Sequence, residues 1–365
     1  MLPNTHRPPS LLFCFLLLLL LSQPRSTTAW APPTYPGYTL IWTDAFTGAG
    51  GTLPRADTWD LVTGNLGVNG ELETYQASPR NVQHSGGGTL QLVPWRDGGA
   101  AGGWTSGRVE SLYTFAPRGG ARTRAEAAVR FGSHAPARKQ GLWPAFWLLG
   151  QALRQPGGTW PACGEIDVLE TVDGRLTGYG TAHCGLYPGG VCDEPAGLQG
   201  AVAVPDQAWH AWRVEWDRTP VAGWSAETIT WSLDGQPFHH ITGAAVGDSA
   251  AWASLCHSPL YFILNLAVGG AWPGYPNNTT LDGYGSMMEV AYVAHYQTRS
   301  GAWRQKNDGI GALYCSPWPS CTSDITATLA RVMAVRDIIM HIPSTLQKRP
   351  WRGLGIPSIP NSHAK

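Results

Sequence analysis

Residues 164–170 read Gly-Glu-Ile-Asp-Val-Leu-Glu, a run in which three acids interrupt aliphatic residues. The aliphatic residues favour a β-strand, from which acidic residues are ordinarily depleted. Because side chains alternate between the two faces of a strand, Glu165 and Asp167 share one face. Glu170 has the wrong parity, but one extra residue after Asp167, a β-bulge, would turn it onto the acidic face. The run therefore predicts a bulged strand with three carboxylates on one side.

Three close carboxylates repel one another, so at least one should keep its proton near neutral pH. Glycoside hydrolysis requires such a set, because one carboxylate attacks the anomeric carbon and one carboxylic acid protonates the departing oxygen. A separation of about 5–5.5 Å, reasonable for neighbours on one strand, predicts retention of configuration. The pattern alone is equally consistent with an exposed acidic strand or a calcium site, so its surroundings must decide.

The composition favours a β-rich globular domain. The 365 residues include 25 basic and 25 acidic side chains, so no net charge attracts nucleic acid or an anionic membrane. Charged residues make up only 14%, whereas glycine (45), proline (29) and tryptophan (18) are abundant. Helical bundles and coiled coils are disfavoured, and 43% hydrophobic residues suffice for one large core.

Short β-rich runs separated by turn residues occupy most of the chain. They include Tyr38–Trp42, Thr89–Val93, Trp212–Trp216, Thr228–Leu233, Tyr261–Val268 and Met288–Tyr296. Asp234-Gly235, which follows one of these runs, is a strong hairpin signal. Since no helical pattern separates the strands, we predict an all-β sandwich of two antiparallel sheets rather than a βαβ fold.

The two ends of the chain differ from the middle. The apolar run at residues 11–22 is too short for the roughly 20 residues that span a bilayer, and small residues follow it, so residues 1–29 are predicted to be a cleaved secretory signal peptide. An uncleaved anchor is the alternative. We therefore expect a secreted, extracellular protein with no membrane association after cleavage. Residues 30–315 form the predicted catalytic domain, and residues 316–365 form a predicted C-terminal tail, part of which has near-helical spacing of apolar residues.

Six cysteines follow the predicted signal peptide, and an even number in a secreted chain indicates disulfides. Close spacing favours the pairs Cys184–Cys192 and Cys315–Cys321. Elimination then leaves Cys163–Cys256, one pair among the 15 connectivities that six cysteines allow. Residues 277–280, Asn-Asn-Thr-Thr, contain two overlapping acceptors for N-glycosylation, which agrees with secretion.

The surroundings of the acidic run resemble glycoside hydrolase family 16. The resemblance extends from about Leu40 to Gln297. It is carried by Leu142–Gly150 (LWPAFWLLG), Trp160–Ala162 (WPA), His183, Trp209-His210 and Asn265–Gly274 (NLAVGGAWPG). The family implies a concanavalin-like β-jelly roll with a substrate cleft and a retaining mechanism. The spacing E-x-D-x-x-E, with Trp-Pro before it and Gly-Gly-x-Trp-Pro-Gly after it, is most similar to the fungal endo-1,3(4)-β-glucanases, of the laminarinase type.

The resemblance also implies roles for individual residues. Glu165 would be the nucleophile, Glu170 the general acid and base, and Asp167 the group that orients and tunes the pair. The residues implied to bind substrate are Trp147, Trp160, Trp272, His183, Arg108, Asn69, Glu71 and Asn265. His183 is equally consistent with a structural role, and Arg108 with a surface ion pair. We assign Trp212, Trp216 and Trp231 to the core.

No cofactor is implied by the resemblance. Many members of the family bind a structural calcium through an aspartate of the final strand, but that position is Ala291 here. The early Asp-Glu-Phe of the family is Asp44-Ala45-Phe46. We therefore expect no metal site.

The expected function is that of a secreted, retaining endo-glycosidase that acts on 1,3- or mixed 1,3/1,4-linked β-glucan, as a monomer whose partner is the polysaccharide. A β-glucan transglycosylase and a galactan-directed hydrolase of the same fold are the alternative enzymes. A glucan-binding, lectin-like sandwich is the non-enzyme alternative, and the intact set of three carboxylates argues against it. The linkage preference depends on loop contacts that the sequence does not specify.

Overall fold

The computed structural model describes residues 30–299. The predicted signal peptide, the boundary at residues 315–316, the tail and the Cys315–Cys321 pair all lie outside this range. Within it, no helix combines the length and the apolar character needed to cross a membrane.

The elements of the described range are mostly short strands. They are β1 (Tyr38–Asp44), β2 (Trp59–Leu61), β3 (Glu73–Tyr75), β4 (Val82–His84), β5 (Leu90–Leu92), β6 (Trp95–Arg96), β7 (Trp104–Ser106), β8 (Arg108–Phe115), β9 (Arg122–Phe131), β10 (Leu142–Gly150), β11 (Glu165–Glu170), β12 (Thr177–His183), β13 (Leu198–Ala203), β14 (His210–Asp217), β15 (Thr228–Leu233), β16 (Gln236–Thr242), β17 (Leu260–Val268) and β18 (Met288–Thr298). The α-helices are α1 (Gly243–Val246) and α2 (Ser249–Cys256). Single 3-10 turns occupy Val68–Gly70, Pro136–Arg138, Gln151–Arg154, Trp224–Ala226 and Tyr284–Ser286.

These strands form a two-sheet sandwich, which confirms the predicted fold class. The eight-stranded sheet has the order β16-β15-β14-β9-β18-β5-β4, with β1 also paired to β18. The seven-stranded sheet has the order β13-β12-β11-β10-β17-β8-β2, and all its pairs are antiparallel. A small third sheet, β3-β7-β6, contains one parallel pair. The expected hairpin joins β15 to β16, and Asp234 and Gly235 take the positive φ angles (50° and 79°) that a type I′ turn requires.

The hydrophobic core lies between the two large sheets. Trp212, Trp216 and Trp231 are at most 1% exposed, in agreement with their assignment to the core. Their buried N–H groups still need acceptors. Trp216 donates to the carbonyl of Leu255 over 2.9 Å, and Trp231 donates to the carbonyl of Asp167 over 2.8 Å. The second of these bonds reaches from the core into the strand of the acidic run.

Only part of the predicted disulfide pattern agrees with the structure. Cys184 and Cys192 are bonded as expected. Cys163 and Cys256 are buried free thiols, so the third predicted pair is wrong. Cys256 packs in the core between the sheets, whereas Cys163 packs with Tyr261 on the outward face of the seven-stranded sheet. A disulfide needs β-carbons about 3.5–4.5 Å apart, and thiols on opposite faces of a sheet do not meet this requirement.

Candidate active site

Strand β11 contains the irregularity that the sequence predicts. Against β12, Asp167 pairs with Thr181 and Glu170 pairs with Tyr179, so three steps along β11 match two along β12. Against β10, the register shifts at the same place. One extra residue is therefore inserted between the two acids.

The bulge is held from the core side. Val168 and Leu169 are consecutive in sequence, yet both are fully buried between the sheets. The indole of Trp231 satisfies the carbonyl of Asp167. Because two neighbouring residues point inward, the next residue, Glu170, emerges on the outward face together with Asp167.

The strand register brings several predicted site residues into one row across the seven-stranded sheet. From β12 to β8 the row consists of Tyr179, Glu170, Ala145, Asn265 and Arg108. We call the outward face of the seven-stranded sheet around this row the cleft. Alanine has the smallest side chain of the row, so the floor of the cleft is lowest between Glu170 and Asn265.

Glu165 lies in a pocket of mixed polarity at one end of β11. Its side chain is 14% exposed, and its Oε2 accepts a hydrogen bond from Trp160 Nε1 over 3.1 Å. Burial and then repulsion from Asp167 raise the pKa of Glu165 to about 8. The charge of His183, whose Nε2 lies 4.0 Å from Glu165 Oε1, and the indole N–H act in the opposite direction.

Glu170 is the less exposed of the two glutamates. It is 8% exposed, and its Oε1 accepts a hydrogen bond from Trp143 Nε1 over 2.9 Å. Burial, followed by repulsion from Asp167, raises the pKa of Glu170 well above its usual value. Glu170 is therefore the acid in the cleft that is best suited to hold a proton.

Asp167 lies between the two glutamates and contacts a histidine. His183 Nε2 is 3.3 Å from Asp167 Oδ2, but this buried oxygen has no hydrogen bond of good geometry in the described structure. On the other side of the ring, His183 Nδ1 lies 2.7 Å from Glu194 Oε2. Burial disfavours the charged ring, but the contacts with Asp167 and Glu194 outweigh it and raise the pKa of His183 to about 11. These contacts therefore favour the positively charged form of the His183 ring beside the acids.

Aromatic rings flank the acids on both sides. Trp160, near Glu165, is 37% exposed and packs against Tyr187 with 5.9 Å between ring centroids. Trp272 is 39% exposed and packs edge-on against Trp143, the partner of Glu170, at 5.4 Å. The predicted residues Trp160 and Trp272 thus present accessible ring surface at the two ends of the carboxylate set.

The far side of the cleft is a tightly bonded group. Trp147 donates to Asn265 Oδ1 over 2.8 Å, and Asn265 donates to the hydroxyl of Tyr75 over 3.0 Å. The guanidinium of Arg108 lies over the Trp147 ring, 4.9 Å from its centroid, and donates to Glu110. Arg108 does form the ion pair proposed as its alternative role, but its side chain is only 13% exposed and the pair lies within the cleft wall rather than on the surface.

Asn69 and Glu71 lie beside the segment that carries Trp272. The backbone carbonyl of Asn69 accepts a hydrogen bond from the N–H of Ala271 over 2.8 Å. The side chain of Asn69 donates to Glu71 Oε1 over 3.4 Å. Burial and then repulsion from Glu73 raise the pKa of Glu71 to about 9. Glu73 in turn accepts a bond from the N–H of Val268, which fixes the end of β17.

One group in the cleft has the spacing of a metal site, but its chemistry fits poorly. Glu165, Asp167 and His183 offer ligand atoms within 4.8 Å of one another. Calcium takes six to eight oxygen ligands, whereas here only two of the three ligands offer oxygen and the third is a ring nitrogen. The calcium-site alternative for the acidic run is therefore disfavoured by the donor set.

Sequence reasoning missed two residues that contact the acids. Trp143 bonds Glu170, and the alternation along β10 that places it on the same face as Ala145 and Trp147 was the available signal. Glu194 bonds His183 from a loop, where no periodicity exists to indicate the direction of a side chain.

The chain is similar in sequence to known β-glucanases. Residues 129–192 match the family model described as "XgeA-like, catalytic GH16 domain". A protein from Rhodothermus marinus named "Beta-glucanase" is 29% identical over 72% of this chain and 86% of its own length. The "Glucan endo-1,3-beta-glucosidase A1" of Niallia circulans is also 29% identical, over 73% of this chain and 39% of its own length.

A solved structure gives the strongest support for membership of a family. The endo-1,3-β-glucanase from Streptomyces sioyaensis is 33% identical, covers 73% of this chain and 99% of its own, and superposes with a TM-score of 0.68. With the jelly-roll sandwich and the carboxylates of β11 already described, these likenesses define a glycoside hydrolase. The chain belongs to glycoside hydrolase family 16.

Proposed function

We propose that the protein hydrolyses 1,3- or mixed 1,3/1,4-linked β-glucan with retention of configuration, through a covalent intermediate on Glu165. The observation that carries the proposal is the bulge in β11, since it turns Glu170 onto the face that already holds Glu165 and Asp167. The names of the similar proteins, which specify β-glucan or the 1,3-linkage, support the substrate class.

The first chemical step joins the sugar to the protein. The ionised carboxylate of Glu165 attacks the anomeric carbon while Glu170 transfers its proton to the glycosidic oxygen, so the leaving sugar departs as a neutral alcohol. The positions suit these roles. Both glutamates accept an indole N–H, but Glu165 is more exposed and lies 4.0 Å from the His183 ring, so it ionises more readily, whereas the pKa of Glu170 is raised well above its usual value.

The second step releases the sugar. Glu170, now ionised, accepts a proton from water as the resulting hydroxide attacks the anomeric carbon, and the bond to Glu165 breaks. Both glutamates return to their starting protonation states. Asp167 remains between them throughout, and its charge disfavours ionisation of both glutamates at once.

The aromatic rings suit a β-glucan chain. A β-linked glucose unit has flat faces of axial C–H groups, which pack on aromatic rings, while its rim hydroxyls need polar partners. Trp160 and Trp272 supply accessible rings at the two ends of the carboxylate set. Arg108 and Asn265 supply polar groups along the opposite wall.

Digestion of a defined panel of polysaccharides tests the substrate. We expect oligosaccharides from laminarin, from lichenan or from both, and none from agarose. Release from agarose alone would favour the galactan-directed alternative, and products longer than an added oligosaccharide acceptor would favour a transglycosylase. Binding of laminarin without any cleavage would favour the lectin-like alternative.

A binding assay combined with laminarin digestion tests the role of Glu165. The variant Glu165→Gln keeps the shape of the side chain and the oxygen that can accept from Trp160, so we expect it to bind laminarin in a gel-retardation assay without cleaving it. Cleavage by this variant at a rate near that of the unaltered protein would contradict the assignment.

We also infer that the protein is secreted, acts as a monomer and is most similar in type to the fungal endo-1,3(4)-β-glucanases. The disulfide Cys184–Cys192 supports secretion, because such bonds persist in oxidising compartments. N-terminal sequencing of protein from a culture medium should give a start near residue 30, and light scattering should give the mass of one chain. A start at Met1 or a dimer mass would contradict these inferences.

A further inference from the structure

Glu194 is a buried carboxylate next to the cleft that belongs to none of the motifs described above. It lies in the loop at residues 184–197, between β12 and β13. Its side chain is fully buried. One carboxylate oxygen accepts the backbone N–H of Cys184 over 2.8 Å, and the other lies 2.7 Å from His183 Nδ1. Both oxygens are therefore held in fixed directions.

The loop that carries Glu194 is fastened at several points. The disulfide joins Cys184 to Cys192, which are eight positions apart in the sequence. Gly189 and Glu194 exchange backbone hydrogen bonds of 2.7 and 2.8 Å. Because the backbone of Glu194 is bonded on one side and its side chain on the other, the carboxylate has little freedom to leave the histidine.

His183 consequently has carboxylates at both ring nitrogens. Glu194 faces Nδ1, while Asp167 lies 3.3 Å and Glu165 lies 4.0 Å from Nε2. The charged groups that face the ring in the described structure are these three and, at longer range, Glu170. A neutral imidazole carries one N–H and could satisfy only one side, so this arrangement favours the doubly protonated ring.

We propose that Glu194 is a positioning residue that acts through His183: it fixes the orientation of the ring and keeps both nitrogens protonated, so that a positive charge stays beside Asp167 and Glu165 during the reaction. The inference rests on the proposed function for its catalytic part. Its physical part, the protonation state of one ring, is independent of substrate. Without Glu194, the ring loses the partner that residues 30–299 provide at Nδ1 and the bond that fixes its rotation.

Nitrogen-15 NMR of the histidine rings tests the physical part directly. The signals of His183 are assigned by their absence in His183→Gln, and the ring is titrated from pH 5 to pH 9. We expect the unaltered protein to show both ring nitrogens protonated across this range, and Glu194→Gln to show a titration within it. A neutral His183 ring at pH 7 in the unaltered protein would overturn the proposal, even if Glu194→Gln failed to fold.

The pH dependence of laminarin hydrolysis tests the catalytic part. In Glu194→Gln we expect kcat to fall about 10–100-fold, the loss that follows removal of a partner orienting a metal-bound histidine. KM should change less than about twofold, and the alkaline limb should move to lower pH because the ring now loses its proton within the assay range. Glu194→Asp retains the charge and should move that limb back towards its original position.

A matched control separates positioning from general stability. Glu227 is a second buried glutamate bonded to a histidine, His257, and it lies outside the cleft. Glu227→Gln should lower thermal stability and leave the shape of the pH profile unchanged. If Glu194→Gln lowered activity by the same factor at every pH, Glu194 would be merely structural and the proposal wrong. If the unaltered protein hydrolysed no glucan, the proposed function would fail while the NMR titration still decided the state of His183.

Discussion

Two buried acidic clusters of this protein use similar side chains with opposite results. Outside the cleft, Glu227 accepts hydrogen bonds from Arg218 Nε, Trp252 Nε1 and His257, with 2.9 Å for each of the first two. Burial alone would raise the pKa of Glu227, but these donors outweigh it and lower the pKa. The negative charge of Glu227 is balanced by its neighbours, and its hydrogen bonds hold the start of β15 and α2 together.

In the cleft, an indole N–H again reaches each glutamate, from Trp160 to Glu165 and from Trp143 to Glu170. The difference is that the charged group with the largest effect on each glutamate is another carboxylate, Asp167, rather than an arginine. Burial and then this repulsion raise the pKa of both glutamates, and the donors do not reverse the effect. Acids in excess over cations destabilise the folded protein, but they supply the proton and the nucleophile that glycoside cleavage needs.

The largest expected effect comes from removing the acid of the cleft. Glu170→Gln cannot protonate a departing sugar, so we expect kcat on laminarin to fall by about 10²–10⁴-fold. A dinitrophenyl β-laminaribioside needs no such proton, and the variant should release one equivalent of dinitrophenolate in a burst before slow turnover. Equal losses on both substrates, without a burst, would mean that Glu170 is not the acid.

The Glu227 cluster should respond in stability rather than in activity. Glu227→Gln leaves Arg218 and His257 without their counter-charge, and breaking a buried ion pair costs about 3–5 kcal/mol, so we expect about 3 kcal/mol after allowing for the partial exposure of His257. Chemical denaturation measures this change. A stability loss below about 0.5 kcal/mol would remove the contrast between the two clusters.

Substitution of Glu165, the proposed nucleophile, should instead stabilise the protein. The pKa of Glu165 is about 8 in the folded protein and near 4.5 when unfolded, so the folded state binds more protons between these values and stability falls as pH rises across this window. Glu165→Gln removes this penalty and should stabilise the protein by about 1–2 kcal/mol at pH 8, with little change at pH 4. Denaturation curves at both pH values test it, and destabilisation at pH 8 would contradict the account.

Much of the fold could be predicted from local patterns. Alternation located the strands, and Asp-Gly located a hairpin, because both depend on backbone geometry over a few residues. The wrong parity of Glu170 indicated the bulge in the same way. The Cys163–Cys256 pair was predicted incorrectly because sequence spacing carries no information on which face of a sheet a loop residue reaches.

The candidate site could be predicted only in part for a related reason. Its residues on strands, such as Asn265, have directions that follow from period two. Glu194 reaches His183 from a loop whose path depends on a disulfide and on backbone bonds between Gly189 and Glu194. Such contacts depend on tertiary structure, and composition or periodicity does not reveal them.

Trapping of the covalent intermediate tests the central claim most directly. The fluorine of a 2-deoxy-2-fluoro laminaribiosyl donor slows both chemical steps. A good leaving group on the same donor speeds only the first step, so the sugar should accumulate on the nucleophile. Mass spectrometry of a proteolytic digest should find the added sugar on the peptide that contains Glu165, and Glu165→Gln should remain unlabelled. Labelling at Glu170, or inactivation with no covalent adduct, would contradict the account.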